Sequence, residues 1–218
     1  MNLPDLEWQW LYSRLAWGMV VAALLVRAWP GSALRLPRAA WLAAGLAIAS
    51  MWLPHAASPA YWLGLMFQYP SVMLVGWLVV PLASRHSFPA GAPMPAAPFA
   101  LVLALGGAWL YADSSGWLNT GSYSQGFDHR WAPAAVLLAG AWAVWAVRSA
   151  ATRASGLVVL ACVMVFSLTR LPSGNAYDAF LDPFMWGWAV GVTLVAAVRW
   201  ARRWRRAGLV TVPQAPAA

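Results

Sequence analysis

Lysine is absent from this 218-residue chain, cysteine occurs once, and charged residues make up only 9% of the total. Each shortage excludes something. Without lysine there is no Schiff base to a retinal-type cofactor and no amine nucleophile. A single cysteine, Cys162, allows neither an intrachain disulfide nor a cysteine metal cluster. It lies in an apolar run, where a thiol is inert. Soluble domains carry roughly 25% charged residues, so a chain with 9% charged and 62% apolar residues is not a water-soluble globule. The acidic start, Asp5 and Glu7, with Arg27, Arg35 and Arg38 following the first apolar run, departs from the basic opening of a cleavable signal.

What the chain does have is apolar runs. They cover Trp8 to Trp29, Ala39 to Leu53, Tyr61 to Ala83, Ala97 to Ala112, Ala132 to Val147, Gly156 to Leu171 and Pro183 to Arg199. A membrane helix takes roughly 20 residues, so the length accommodates seven spans with short loops. The breaks between them carry turn chemistry: Pro30-Gly31, Pro37, Pro54, the proline-rich stretch from Pro89 to Pro98, and Pro172-Ser173-Gly174. The fold class expected is therefore all-α, a polytopic membrane helix bundle of about seven transmembrane helices. Residues 1–200 form the bundle and residues 201–218 a basic juxtamembrane tail.

All 14 basic residues are arginine, and the net charge is +8. Taking alternate loops as cytoplasmic collects Arg27, Arg35, Arg38, Arg85, Arg148, Arg153, Arg199, Arg202, Arg203, Arg205 and Arg206, which is 11 of the 14. Arg14, Arg130 and Arg170 fall on the other side. The positive-inside rule then places the N-terminus outside, the C-terminus inside, and the chain in a cell inner (plasma) membrane. All six acids, Asp5, Glu7, Asp113, Asp128, Asp178 and Asp182, fall on the outer face. Acids contribute little to orientation, so their segregation is a separate observation and points to an outward-facing polar site. The Arg-rich tail abuts a membrane helix, which suits anionic lipid headgroups and not nucleic acid.

Candidate site residues follow from polar groups on that face. The loop from Asp113 to Trp131 is long for a helix connection; Asp113 and Trp117 are its candidates for holding or stacking on a ligand, with Trp109 beside them. Asp128 and His129 read as interfacial hydrogen-bonding groups near the start of the fifth span. In RLPSGNAYDAFLDPF, Arg170 to Phe184, a short helical turn would align Asn175, Asp178 and Asp182, with Arg170 near enough to neutralise a carboxylate. Asp182 before Pro183 reads as a helix cap. Arg14 lies about 9 Å along the first span from Trp8, a depth at which arginine needs a partner or must snorkel. Gln68, beside Tyr69-Pro70-Ser71, lies near the middle of the third span, where Pro70 kinks the helix and the polar groups can line a cavity. Arg14, Asp113, Asn175 and Asp178 are expected to share one outward-facing cavity.

No histidine spacing supports a metal site: His55 and His129 have no HxxxH or HExxH context. No metal, haem or other cofactor is expected, and no residue earns a catalytic role from spacing alone. Three functions remain in view. The first is a multi-pass inner-membrane subunit of an envelope or transport assembly, working with a membrane-protein partner or as a homo-oligomer. Its outward polar pocket would bind a small polar or lipid-linked ligand. The second is a membrane-embedded enzyme using outer-face carboxylates on a lipid or glycan. The third is an autonomous small-molecule transporter, against which stands the lack of any acid near the middle of a span.

Overall fold

The computed structural model describes residues 3–29, 38–83, 97–150 and 152–210. Arg35, Arg85, the turns at Pro30-Gly31 and Pro37, and most of the proline-rich stretch from Pro89 lie outside the described residues. Within them the chain is all-helical, without strands. The helices are α1 (Leu6–Ala28), α2 (Arg38–Ser50), α3 (Pro59–Phe67), α4 (Val72–Ala83), α5 (Ala97–Ser114), α6 (Trp131–Val147), α7 (Arg153–Thr169), the five-residue α8 (Ala176–Phe180) and α9 (Pro183–Val210). Short 3-10 turns occupy His55–Ala57 and Tyr123–Phe127.

Each expected apolar run corresponds to a helix, with one exception. The third run holds two helices, α3 and α4, separated by Gln68–Ser71. Pro70 was expected to kink a continuous helix; instead the helix stops and restarts. Two helices are long and apolar enough to cross a membrane, Leu6–Ala28 and, within α9, Pro183–Arg205. Others are apolar but shorter, among them Arg38–Ser50, Trp131–Val147 and Arg153–Thr169. The helix of α9 continues through the arginine-rich segment to Val210, so Arg199, Arg202, Arg203 and Arg205 are carried on a helix.

Helix α1 is central, packing on α2, α3 and α4; α4 in turn packs on α7, α7 on α6, and α5 pairs with α9. The main core joins Trp17, Met51, Met73, Trp77, Val158, Cys162, Phe166 and Met185. Small residues are buried as well, with Ala40, Ala100, Ala143, Ala146 and Ala189 all fully buried. Large aliphatics point the other way: Leu46 is 71% exposed, Leu138 73% and Leu168 81%. The pairing of α5 with α9 has a specific device. The Trp186 indole donates to the Ala104 carbonyl at 2.9 Å, and a Cβ on Gly107 would stand only 2.3 Å from the Trp186 ring. Only glycine lets that ring lie across α5.

Candidate functional site

The site begins at the break in the third run. Gln68 ends α3 with φ 59° and ψ −117°, a conformation rare for a residue with a side chain. Such a break strands backbone groups, and here most are met by side chains from distant helices. The Gln68 carbonyl accepts from the Trp17 indole at 3.1 Å and the Pro70 carbonyl from the Tyr12 hydroxyl at 2.7 Å. The Ser71 amide donates to Asp182 Oδ2 at 2.7 Å, and Ser71 Oγ accepts from the Leu74 amide at 3.0 Å, capping α4. Asp182 Oδ1 accepts from the Met185 amide at 2.8 Å. Asp182 thus caps α9, as its place before Pro183 implies, and the same carboxylate also meets the start of α4. Both helix dipoles favour a negative charge there.

A second set of contacts builds the opposite wall. Asp113, at the end of α5, ties down its own loop: Oδ1 accepts from the Thr120 amide and hydroxyl, both at 2.6 Å, and Oδ2 from the Tyr123 amide at 2.8 Å. These bonds, the Thr120 hydroxyl first and the Tyr123 amide next, hold the Asp113 carboxyl below its ordinary pKa. Fully buried Asn175 caps α8 by accepting from the Tyr177 amide at 2.8 Å and donates from Nδ2 to the Tyr123 carbonyl at 3.0 Å. Gly126 makes this possible, since a Cβ there would lie 1.7 Å from Asn175 Oδ1. Tyr123 is therefore held at its amide by Asp113 and at its carbonyl by Asn175. Its hydroxyl points at Asp178, 3.0 Å from each carboxylate oxygen.

Asp178 accepts a further hydrogen bond from the Ser173 hydroxyl. Burial raises its carboxyl above the ordinary value, and the Ser173 and Tyr123 hydroxyls offset part of that rise. Burial, then the Asp178 charge, pushes the Tyr123 phenol up. The only ion pair among the described residues is His129 with Asp128, at 3.7 Å, so Asp178 has no basic partner among them. Between the two walls lies a cavity of about 370 Å³ whose polar lining is Gln68, Tyr69, Tyr111, Ser114, Tyr123, Ser173, Asp178 and Asp182, with Met66, Phe67 and Leu181 among its apolar residues. A larger, mainly apolar groove of about 1170 Å³ runs between α1 and α3, lined by Trp10, Leu11, Arg14, Tyr61 and Leu65 among others. Gln68 and Tyr69 line both.

Of the residues expected in one cavity, Asp178 lines it, and Gln68 joins it. Asn175 lies buried behind Tyr123, and Asp113 stands further back as a loop anchor. Arg14 is elsewhere. Its Nη1 donates to the Met51 and Leu53 carbonyls at 2.9 and 3.2 Å, satisfying the end of α2, and its guanidinium lies 3.9 Å from the Trp10 ring centre. Arg170 does not neutralise Asp178; its guanidinium lies over the Phe166 ring at 5.3 Å. Trp117 is 85% exposed and lines neither cavity. Asp128 accepts from the Arg130 and Trp131 amides at the start of α6, as an interfacial acid would. Tyr69, read from the sequence as a polar group beside the Pro70 break, lines the cavity with Gln68, whereas sequence reasoning passed over Tyr111, Ser114, Tyr123 and Ser173. No group of three or more His, Cys, Asp or Glu among the described residues is placed to hold a metal ion.

Among the described residues these features define an all-helical bundle with two helices of membrane-crossing length and a cleft lined by two carboxylates, of which Asp182 is held by backbone amides and Asp178 by neutral hydroxyls. Comparison with protein-family models, curated proteins and solved structures gives no match.

Proposed function

We propose that the chain is a multi-pass inner-membrane protein of about seven spans, N-terminus out and C-terminus in. It would act as a subunit of an envelope or transport assembly, holding a small polar or lipid-linked ligand in an outward-facing pocket. The membrane reading is supported by the apolar surface: leucines such as Leu46, Leu138 and Leu168 face outward, and alanines are among the fully buried residues. Small residues inside and large apolar ones toward the surroundings suit lipid, not water. The arginine distribution supports the orientation, which puts Asp113, Tyr123, Asp178 and Asp182 on the outer side.

One observation carries the ligand reading: the helix break at Gln68–Ser71 meets Asp178 across the 370 Å³ cavity. Non-helical backbone at membrane depth is tolerated where protein buries it or where it lines a cavity. Most of its polar groups are met by Trp17, Tyr12 and Asp182, so the break is built into the fold. The same discontinuity favours an autonomous transporter as the second reading. A carboxylate-pair enzyme is less well supported, because both Asp182 oxygens are engaged with backbone amides and only Asp178 is left for proton transfer.

The test is mild solubilisation followed by native mass spectrometry. A stoichiometric second membrane chain, with a small bound species lost in Asp178→Asn, supports the subunit reading. A lone chain that moves solute in proteoliposomes replaces it with the transporter. A lone chain with an empty cavity and no transport refutes both.

A further inference from the structure

The cavity is unusual in the charge it leaves open. Two carboxylates line it and, among the described residues, no arginine or histidine does. Asp182 is spent on two backbone amides, whereas Asp178 receives only the neutral hydroxyls of Tyr123 and Ser173. Burying a carboxylate without a cation is costly. The nearest candidate counter-ion in sequence, Arg170, turns to Phe166 instead.

Beside the apolar Met66, Leu181 and two prolines, the lining supplies acceptors and ring faces. Tyr69, Tyr111 and Tyr123 contribute three phenols. The side chains of Gln68, Tyr69 and Tyr111 make no hydrogen bond among the described residues, although Tyr111 packs edge-on against Trp186 at 5.2 Å. An anion would meet Asp178 with no positive group to hold it. A primary ammonium has three donors, which match the Asp178 carboxylate, the Gln68 amide oxygen and a tyrosine hydroxyl, and aromatic faces attract cations.

We propose that this cavity binds an organic ammonium group, with the Asp178 carboxylate as its counter-ion and Tyr69, Tyr111 and Tyr123 as its aromatic wall. The inference rests on the outward-facing pocket proposed above and specifies what that pocket takes. The ammonium can belong to a free amine or to a lipid headgroup. The second source has a route, because Gln68 and Tyr69 also border the apolar groove between α1 and α3, where a hydrocarbon chain fits.

The experiment uses the full chain carrying Ser114→Cys at the cavity, read by the rate of maleimide labelling; native Cys162 is buried. Ethanolamine hydrochloride is the free probe, ethylene glycol its uncharged counterpart, and nanodiscs of phosphatidylethanolamine or phosphatidylglycerol form the lipid arm. The expected result is saturable protection by ethanolamine but not by ethylene glycol, weakened about tenfold or more by Asp178→Asn. If the lipid is the source, phosphatidylethanolamine protects and phosphatidylglycerol does not. Protection by ethylene glycol equal to that by ethanolamine, protection unchanged in Asp178→Asn, or protection by neither amine overturns the proposal. Glucose separates that failure from failure of the pocket itself: if it protects where amines do not, the pocket stands and the ammonium falls. If no probe protects, both fall.

Discussion

Replacing Asp182 tests whether one carboxylate joins two helices. A simple N-cap has one working oxygen, and asparagine replaces such an aspartate with little loss. Here both oxygens work: Oδ1 on the Met185 amide at 2.8 Å and Oδ2 on the Ser71 amide at 2.7 Å, in a side chain 4% exposed. Asparagine has one acceptor. Its amide nitrogen would face one of the two amides donor to donor, so it keeps one helix start and loses the other. Leaving a buried donor unsatisfied costs about 1–3 kcal/mol. Asp182→Asn should therefore lose about that much, and Asp182→Ala, which strands both amides, about 2–5 kcal/mol. At roughly 2–4 °C per kcal/mol for a chain of this length, asparagine should lower Tm by several degrees and alanine by about twice as much. Melting in mild detergent, followed by tryptophan fluorescence, measures both. An asparagine variant within about 0.5 kcal/mol of the parent, the usual scatter of neutral substitutions, would refute the two-helix role.

Three other substitutions separate holding the site from being the site. Burial raises the Asp178 carboxyl, so the native state binds its proton more tightly than the unfolded chain does. That contribution to stability is full below the unfolded value of about 3.9 and is lost as pH rises through the raised native value. Asp178→Asn should thus keep or raise Tm at neutral pH and flatten its acid-side pH dependence, seen in melts across pH 3–8, while impairing function in a complementation assay. Gly126→Ala puts a methyl 1.7 Å from Asn175 Oδ1, and overpacking of this kind costs about 1–3 kcal/mol; Tm should fall and Ser114→Cys should label faster as Tyr123 loses its anchor. Arg14→Ala leaves the Leu53 carbonyl without its donor and the Met51 carbonyl with Ser58 Oγ alone, so it should destabilise by about 1–3 kcal/mol while leaving the protection of Ser114→Cys by ethanolamine unchanged, since Arg14 does not line the smaller cavity.

The helices were legible in the sequence because apolar runs and proline-glycine breaks are local signals. Asp182 was legible for the same reason, since an aspartate before a proline marks a helix start. What proline did at position 70 was not. A kink and a full break look alike in FQYPS, and the partners accompanying the break, Tyr12, Trp17 and Asp182, lie 58, 51 and 111 residues from the groups they meet. Asp113 and Asn175 were recognised as polar residues that needed partners and were assigned to a ligand. Their partners are the Thr120 hydroxyl and backbone groups of the same loop, Tyr123 included. Asp113 carried a hint in the Gly/Ser/Asn-rich stretch that follows it, where a carboxylate commonly organises turns. The depth of Arg14 signals the need for a partner but not which one, and carbonyls just beyond α2 meet it. Tyr123 carries no local signal of its carboxylate, because the contact with Asp178 spans 55 residues; Ser173 lies only 5 residues from Asp178 and reads as a turn residue of Pro172-Ser173-Gly174.

The central claim is an outward-facing polar cavity in a membrane bundle, and cysteine accessibility tests it most directly. With Cys162 buried, Ser114→Cys reports the cavity and Thr152→Cys the opposite end, between α6 and α7. A membrane-impermeant maleimide should label Ser114→Cys in right-side-out vesicles and Thr152→Cys only in inverted ones. Labelling of Ser114→Cys from the cytoplasmic side alone, or recovery of the protein in the soluble fraction, would contradict the account.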